Sequence, residues 1–192
     1  MGKDRLAAFS DGVIAIIITI MVLELHVPHG SDASALAAIA PSFLSYVLSF
    51  IYVGIYWNNH HHLLHTVTRV DGLILWANSH LLFWLSIIPV ATAWMGQNLS
   101  APLPTAIYGV TLLMPAIAYV LLQQAILHRH GKQSVLAEAL GTDLKGKISP
   151  LLYGAGIVLA FVNPWISIAL YVLVAIIWLV PDRRIERIVG RE

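Results

Sequence analysis

Two groups of residues carry chemistry that their surroundings do not ordinarily tolerate. Asp11 interrupts a mostly apolar run from 6 to 25, and His60, His61, His62 and His65 crowd one short segment among nine histidines in all. An acid at the centre of a membrane helix costs on the order of 3 kcal/mol on insertion scales. Such a side chain must face protein or water and find a partner. The plain reading of Asp11 is a structural carboxylate hydrogen-bonded between helices. Imidazoles suit iron and zinc, so the histidines raise a metal reading as well. Cys is absent, which excludes disulfides, thiolate nucleophiles and Cys-ligated metal.

The elements that must position these residues follow from charge. Of 192 residues, 58% are hydrophobic and 11% charged, with 11 Lys+Arg against 10 Asp+Glu. Ordinary soluble domains carry about 25% charged residues, so the composition excludes a cytosolic enzyme domain, and it is far too apolar for disorder. A net charge of +1 gives no field to attract nucleic acid, so no nucleic-acid partner is expected. Residues 72 to 128 lack Lys, Arg, Asp and Glu altogether, room for two spans of about 20 residues. They are separated by Gln97-Asn98-Leu99-Ser100-Ala101-Pro102-Leu103-Pro104. Residues 148 to 181 are again uncharged, with Asn163-Pro164 near the middle, and read either as one bent span or as a hairpin of two short ones.

Cations decide between those readings. With six helices, over 6–25, 34–57, 73–95, 104–127, 148–162 and 165–180, all eleven Lys and Arg fall on one side and none on the other. Five helices would put Arg183, Arg184, Arg187 and Arg191 outside, against the positive-inside rule. The expectation is therefore an all-α polytopic protein: one transmembrane domain over 1–192, six helices, both termini cytoplasmic, the lipid bilayer its medium. The first helix is read as retained rather than cleaved. The loop from 128 to 147 has room for at most a two-turn surface helix over 134–140, and no internal repeat is evident.

On this plan Ser10, Asp11, Trp57, His60, His61 and Asn78 share one layer near the cytoplasmic face, with His80 close by. Carboxylate, indole, imidazole and carboxamide can satisfy one another there as a polar lock between helices 1, 2 and 3. Along helix 1, Ile16, Thr19, Ile20 and Leu23 fall at i, i+3, i+4 and i+7 and share a face, with Glu24 near its outer end. Asp11 stands five residues from Ile16, about 140° round the helix at 100° per residue. An Ile/Leu stripe at this spacing is most often ordinary packing, but symmetric copies of one helix around an axis can also enclose a pore.

Arg5, Phe9, Ser10 and Asp11 match an Arg-x-x-x-Phe-Ser-Asp signature, and the chain resembles the six-helix prokaryotic members of the transmembrane protein 175 family. Leu23-Glu24-Leu25, Val27-Pro28, Trp57-x-x-His60-His61, Asn78 and Ile88-Pro89 extend the resemblance over roughly 5 to 95; beyond 96 only the hydropathy plan agrees. The resemblance implies a potassium-permeable cation channel, a homotetramer with helix 1 lining a central pore, in the plasma membrane of a prokaryote. It implies no cofactor, monovalent cations as the permeant species, and no Thr-Val-Gly-Tyr-Gly filter, which this sequence also lacks. It places the apolar constriction at Ile16, further pore-facing positions at Thr19, Ile20 and Leu23, and Ala15 where some relatives carry a hydroxyl.

Two other classes remain in view. A secondary transporter would place broken helices and paired charge at the midplane, whereas the middle of helix 1 is uncharged and Pro115 is the one mid-span proline well away from a predicted helix end. His61-x-x-x-His65 is also similar to the histidine boxes of membrane di-iron desaturases, but the further boxes such enzymes need are missing, His128-x-His130 being the only other cluster.

Overall fold

The computed structural model describes residues 2–130 and 144–179, and these form six α-helices with no strand among them. They are α1 (Lys3–Leu23), α2 (Ala33–His65), α3 (Gly72–Gln97), α4 (Pro102–His130), α5 (Leu144–Leu159) and α6 (Pro164–Leu179). The first four are long and apolar enough to cross a membrane; α5 and α6 have 16 residues each, about 24 Å at 1.5 Å per residue. The uncharged stretch from 148 to 181 is thus two helices joined at 160–163 rather than one bent one. The short helix expected over 134–140, Lys132, residue 180 and the four tail arginines lie outside the described residues.

Local chemistry sets the helix starts. Asp32 caps α2, its Oδ1 accepting from the Ala35 N–H at 2.9 Å and the Ser34 hydroxyl at 3.0 Å, which holds its carboxyl below the usual carboxylate range. Asp71 caps α3 by accepting from the Ile74 N–H at 3.0 Å. Pro102 and Pro164 open α4 and α6, where a missing N–H is no loss.

Two helices run past their expected ends. Hydropathy falls at Asn58, so α2 is predicted to stop at 57, yet it continues to His65 because Leu63 and Leu64 are buried in the core. Its 33 residues reach about 50 Å, longer than a hydrocarbon core of about 30 Å. The helix is therefore long enough to extend past the apolar layer. Helix α4 continues to His130, whose Nε2 accepts from the backbone N–H groups of Thr68 and Arg69 at 3.1 and 3.3 Å while its Nδ1 faces the Ile126 carbonyl at 3.0 Å. The neighbouring Arg129–Asp71 ion pair spans 3.7 Å. These contacts dock the α2–α3 turn on the end of α4.

Packing divides into two cores. One joins α1 to α2, α3 and the C-terminal half of α4 through Ile14, Ile17, Leu64, Leu81, Leu85 and Leu122. The other ties α2, α3 and α4 to the α5–α6 hairpin through Tyr52, Met95, Tyr108, Tyr153 and Tyr171. Tyr52 donates to the Tyr171 carbonyl at 2.6 Å, and Ser167 donates to the Gly156 carbonyl at 2.6 Å, closing the hairpin. No buried side-chain N or O among the described residues lacks a partner, as an environment without water demands.

Helices α4, α5 and α6 approach closely at Tyr171. A Cβ at Gly109 would run into the Tyr171 ring, hydroxyl and the Ile157 side chain, whereas one at Gly154 would meet nothing within 4 Å. Gly109→Ala is expected to destabilise the detergent-solubilised protein by about 1–3 kcal/mol, the range for overpacking a filled core. Gly154→Ala should melt like the native chain in a thermal fluorescence scan; equal melting of all three proteins refutes the contact.

Candidate ion pathway and polar lock

The site begins with the rotation of α1. Leu6, Ser10, Ile14, Ile17 and Met21 are its buried residues, and at 100° per residue they all fall within about 40° of Ser10. Thr19 stands nine residues from Ser10, about 180° round the helix. Accordingly Ile16 is 59% exposed and Leu23 75%, with Ala15, Thr19 and Ile20 also uncovered by the rest of the chain. Thr19 donates its hydroxyl proton to the Ala15 carbonyl at 2.9 Å, so its oxygen lone pairs are free on the open face. Glu24 is the exposed C-cap of α1, and Asp4 and Arg5 are exposed at the other end. Exposure alone does not distinguish this face, since Trp76 and Leu151 are just as open. Its hydroxyl and its small residues Gly12 and Ala15 do.

The buried side of α1 is held by a polar chain. Ser10 donates to the Leu6 carbonyl at 2.9 Å and accepts from Asn78 Nδ2 at 3.0 Å; Asn78 Oδ1 lies 2.7 Å from His60 Nε2. A carbonyl oxygen can only accept, so His60 carries its proton on Nε2 in this arrangement. All three side chains are buried, and they connect α1, α3 and α2 in that order.

Not every residue expected in this layer joins it. Asp11 is half-buried at the α1–α2 seam, 100° round from Ser10, where its Oδ1 accepts from Trp57 Nε1 at 3.0 Å. Trp57 itself is exposed. Arg5 and Phe9 are exposed. His61 pairs with His65, their Nε2 atoms 3.1 Å apart, and His80 accepts from Trp84 Nε1 at 2.9 Å instead of entering the layer. A second buried network was not anticipated: Ser49 lies 2.7 Å from Thr92 Oγ1 and 2.9 Å from the Tyr108 hydroxyl, pinning α2, α3 and α4. Isolated hydroxyls inside uncharged runs were its only trace in the sequence. Among the described residues no group of three or more His, Cys, Asp or Glu could hold a metal ion.

Comparison with known proteins bears on this arrangement. A family profile described as the endosomal/lysosomal potassium channel TMEM175 matches residues 5–89. A protein of Chryseobacterium sp. (strain P1-3) named as a potassium channel is 57% identical over 187 residues, covering 97% of each chain. Another so named, from Streptomyces collinus, is 30% identical over 91% of this chain and 90% of its own length. The crystal structure of a lysosomal potassium-selective channel TMEM175 homolog from Chamaesiphon minutus superposes with a TM-score of 0.82 at 29% identity, covering 94% of this chain and 97% of that one. Similarity thus extends through the second half of the chain, where the sequence offered only a hydropathy plan. Ion channels, not di-iron enzymes, are its kin, and the chain belongs to the TMEM175 family.

Proposed function

We propose that this chain forms a potassium-permeable cation channel in a prokaryotic cell membrane, as a homotetramer whose four α1 helices line a central pore. The observation that carries this reading is the open face of α1: Ile16, Thr19, Ile20 and Leu23 are exposed and share one side of an unbroken helix. A helix cannot enclose a path alone, but four symmetric copies of this face can. Relatives named as potassium channels, and a solved homolog described as potassium-selective, support the permeant ion. The one-sided distribution of Lys and Arg supports six spans with both termini cytoplasmic.

In such a ring the four Ile16 side chains make an apolar constriction that regulates flow by its width and wetting. Potassium holds its water less tightly than sodium, so a step that strips water favours potassium without a carbonyl filter, and the preference is modest. One turn further along, four Thr19 oxygens offer lone pairs to a partly dehydrated cation, because each hydroxyl proton is committed to Ala15. Glu24 at the outer mouth concentrates cations. The Ser10–Asn78–His60 chain is the lock that sets the rotation of α1, with Asp11 and Trp57 as a more accessible clasp beside it. A transporter is less well supported, since α1 is continuous from Lys3 to Leu23 with no break in it.

Two measurements test this. In proteoliposomes, Ile16→Asn is expected to raise potassium flux and erode the preference over sodium. Unchanged flux and selectivity would put the narrowest point elsewhere, and saturable flux coupled to a second ion would favour the transporter. Asn78→Ala strands the His60 proton, leaving a buried donor unpaired at a cost of about 1–3 kcal/mol. It is expected to lower the melting temperature and weaken assembly more than Asp11→Ala, whose carboxylate is half-exposed. If size exclusion and thermal melting show the reverse order, the Asp11–Trp57 clasp is the principal anchor.

A further inference from the structure

The last two turns of α2 carry His61 and His65 four residues apart, on one face. Their Nε2 atoms are 3.1 Å apart, with the rings inclined at 70° and their centroids separated by 4.5 Å. Two imidazole lone pairs cannot face each other without something between them, and in this geometry one ring's Nε2 proton fills that place. Both rings are exposed, and they border a cleft of about 280 Å³ that Lys3, Asp4 and Asp11 also line. One water occupies about 30 Å³, so a partly hydrated ion fits.

A tetrahedral zinc with Zn–N bonds of about 2.0–2.1 Å spaces two ligand nitrogens about 3.3 Å apart. The pair is within a few tenths of an ångström of that bite. We propose that His61 and His65 form a two-imidazole chelate for a divalent, imidazole-binding transition metal of the zinc class, in the cleft where the start of α1 meets the end of α2. The metal takes the place of the shared proton. The ring that held it stays neutral by carrying its proton on Nδ1, so both Nε2 lone pairs point at the ion.

With no third His, Cys, Asp or Glu close enough to ligate among the described residues, water completes the coordination. Asp4 and Asp11 act at longer range: Asp11 Oδ1 is engaged by Trp57, which leaves Oδ2 for an aqua ligand. Lys3, whose Nζ lies 3.5 Å from the His65 carbonyl, opposes a cation. The site is therefore one of moderate affinity. It favours zinc, nickel or copper over calcium or magnesium, which prefer all-oxygen ligand sets.

Zinc titration of the purified full chain, with any polyhistidine tag removed, tests the chelate by calorimetry. The native protein is expected to bind one more zinc per chain than His61→Ala/His65→Ala, and either single replacement should lose that zinc as completely as the double one. His26→Ala/His29→Ala, which removes histidines from the α1–α2 connection at the opposite ends of these helices, should retain it. Copper loading gives an independent readout, because nitrogen hyperfine splitting in the electron paramagnetic resonance spectrum should report two equivalent imidazoles and lose that pattern in either single variant. Zinc binding unchanged in the double variant, or a single variant that keeps the zinc, overturns the proposal.

Discussion

The structure depends on one constraint: a polar side chain enclosed among membrane helices must find its partner there. Ser10 meets it through Asn78, and Asn78 through His60. Because Ser10 is a short side chain on a rigid helix, satisfying it fixes the rotation of α1 about its own axis. The buried residues of α1, Ile14, Ile17 and Met21 among them, all lie within about 40° of Ser10. The opposite side, centred near Thr19, is left for something outside the chain. The hydrogen bonds contribute only about 0.5–1.5 kcal/mol each when made. Their directing power comes from the larger cost of leaving the buried groups unpaired.

Much of this was legible in the sequence because membrane spans are written in charge, and charge is easy to read. The gap from 72 to 128 and the clustering of Lys and Arg located the helices before any geometry was known. Depth was legible too, since counting residues from the helix ends placed Ser10, His60 and Asn78 in one layer. Azimuth was not. Ser10 and Asp11 are neighbours, yet the 100° between them buries the hydroxyl and leaves the carboxylate at the seam. The expected bond between helices is there for Asp11, through Trp57, but the carboxylate is only half-buried while the serine is fully enclosed. Desolvation explains the outcome: a serine is far less costly to enclose than a carboxylate.

The ends of α2 and α4 eluded the sequence for a different reason. Hydropathy marks where a helix leaves the apolar layer, and a helix stops only when its backbone loses tertiary support. Leu63, Leu64 and the docking of His130 on Thr68 and Arg69 carry these helices outward. The same extension puts the His61-x-x-x-His65 pair on a helix, one turn apart, which a boundary at 57 leaves in a loop. The Ser49–Thr92–Tyr108 network was hidden in turn because it needs three helices in register, and no single segment encodes that.

The two cores divide the molecule into parts with different freedom. Helices α2, α3 and α4 are pinned to one another by the Ser49 network and tied to the α5–α6 hairpin by the tyrosine cluster, while α1 is attached chiefly to α2 and α3, along one side. On the proposed reading, any widening of the path must move α1 against that scaffold without stranding Ser10, Asn78 or His60. A tilt about Ser10 meets this condition. Ile16 lies about 9 Å along the helix from Ser10 and Leu23 about 20 Å, so such a tilt displaces the outer end roughly twice as far as the constriction. On that reading the lock would confine large movement to the Leu23–Glu24 end, and the proposed Ile16 ring would change in small steps. An apolar ring responds sharply to small changes in width, because wetting is cooperative, so modest motion at Ile16 is enough to regulate flow.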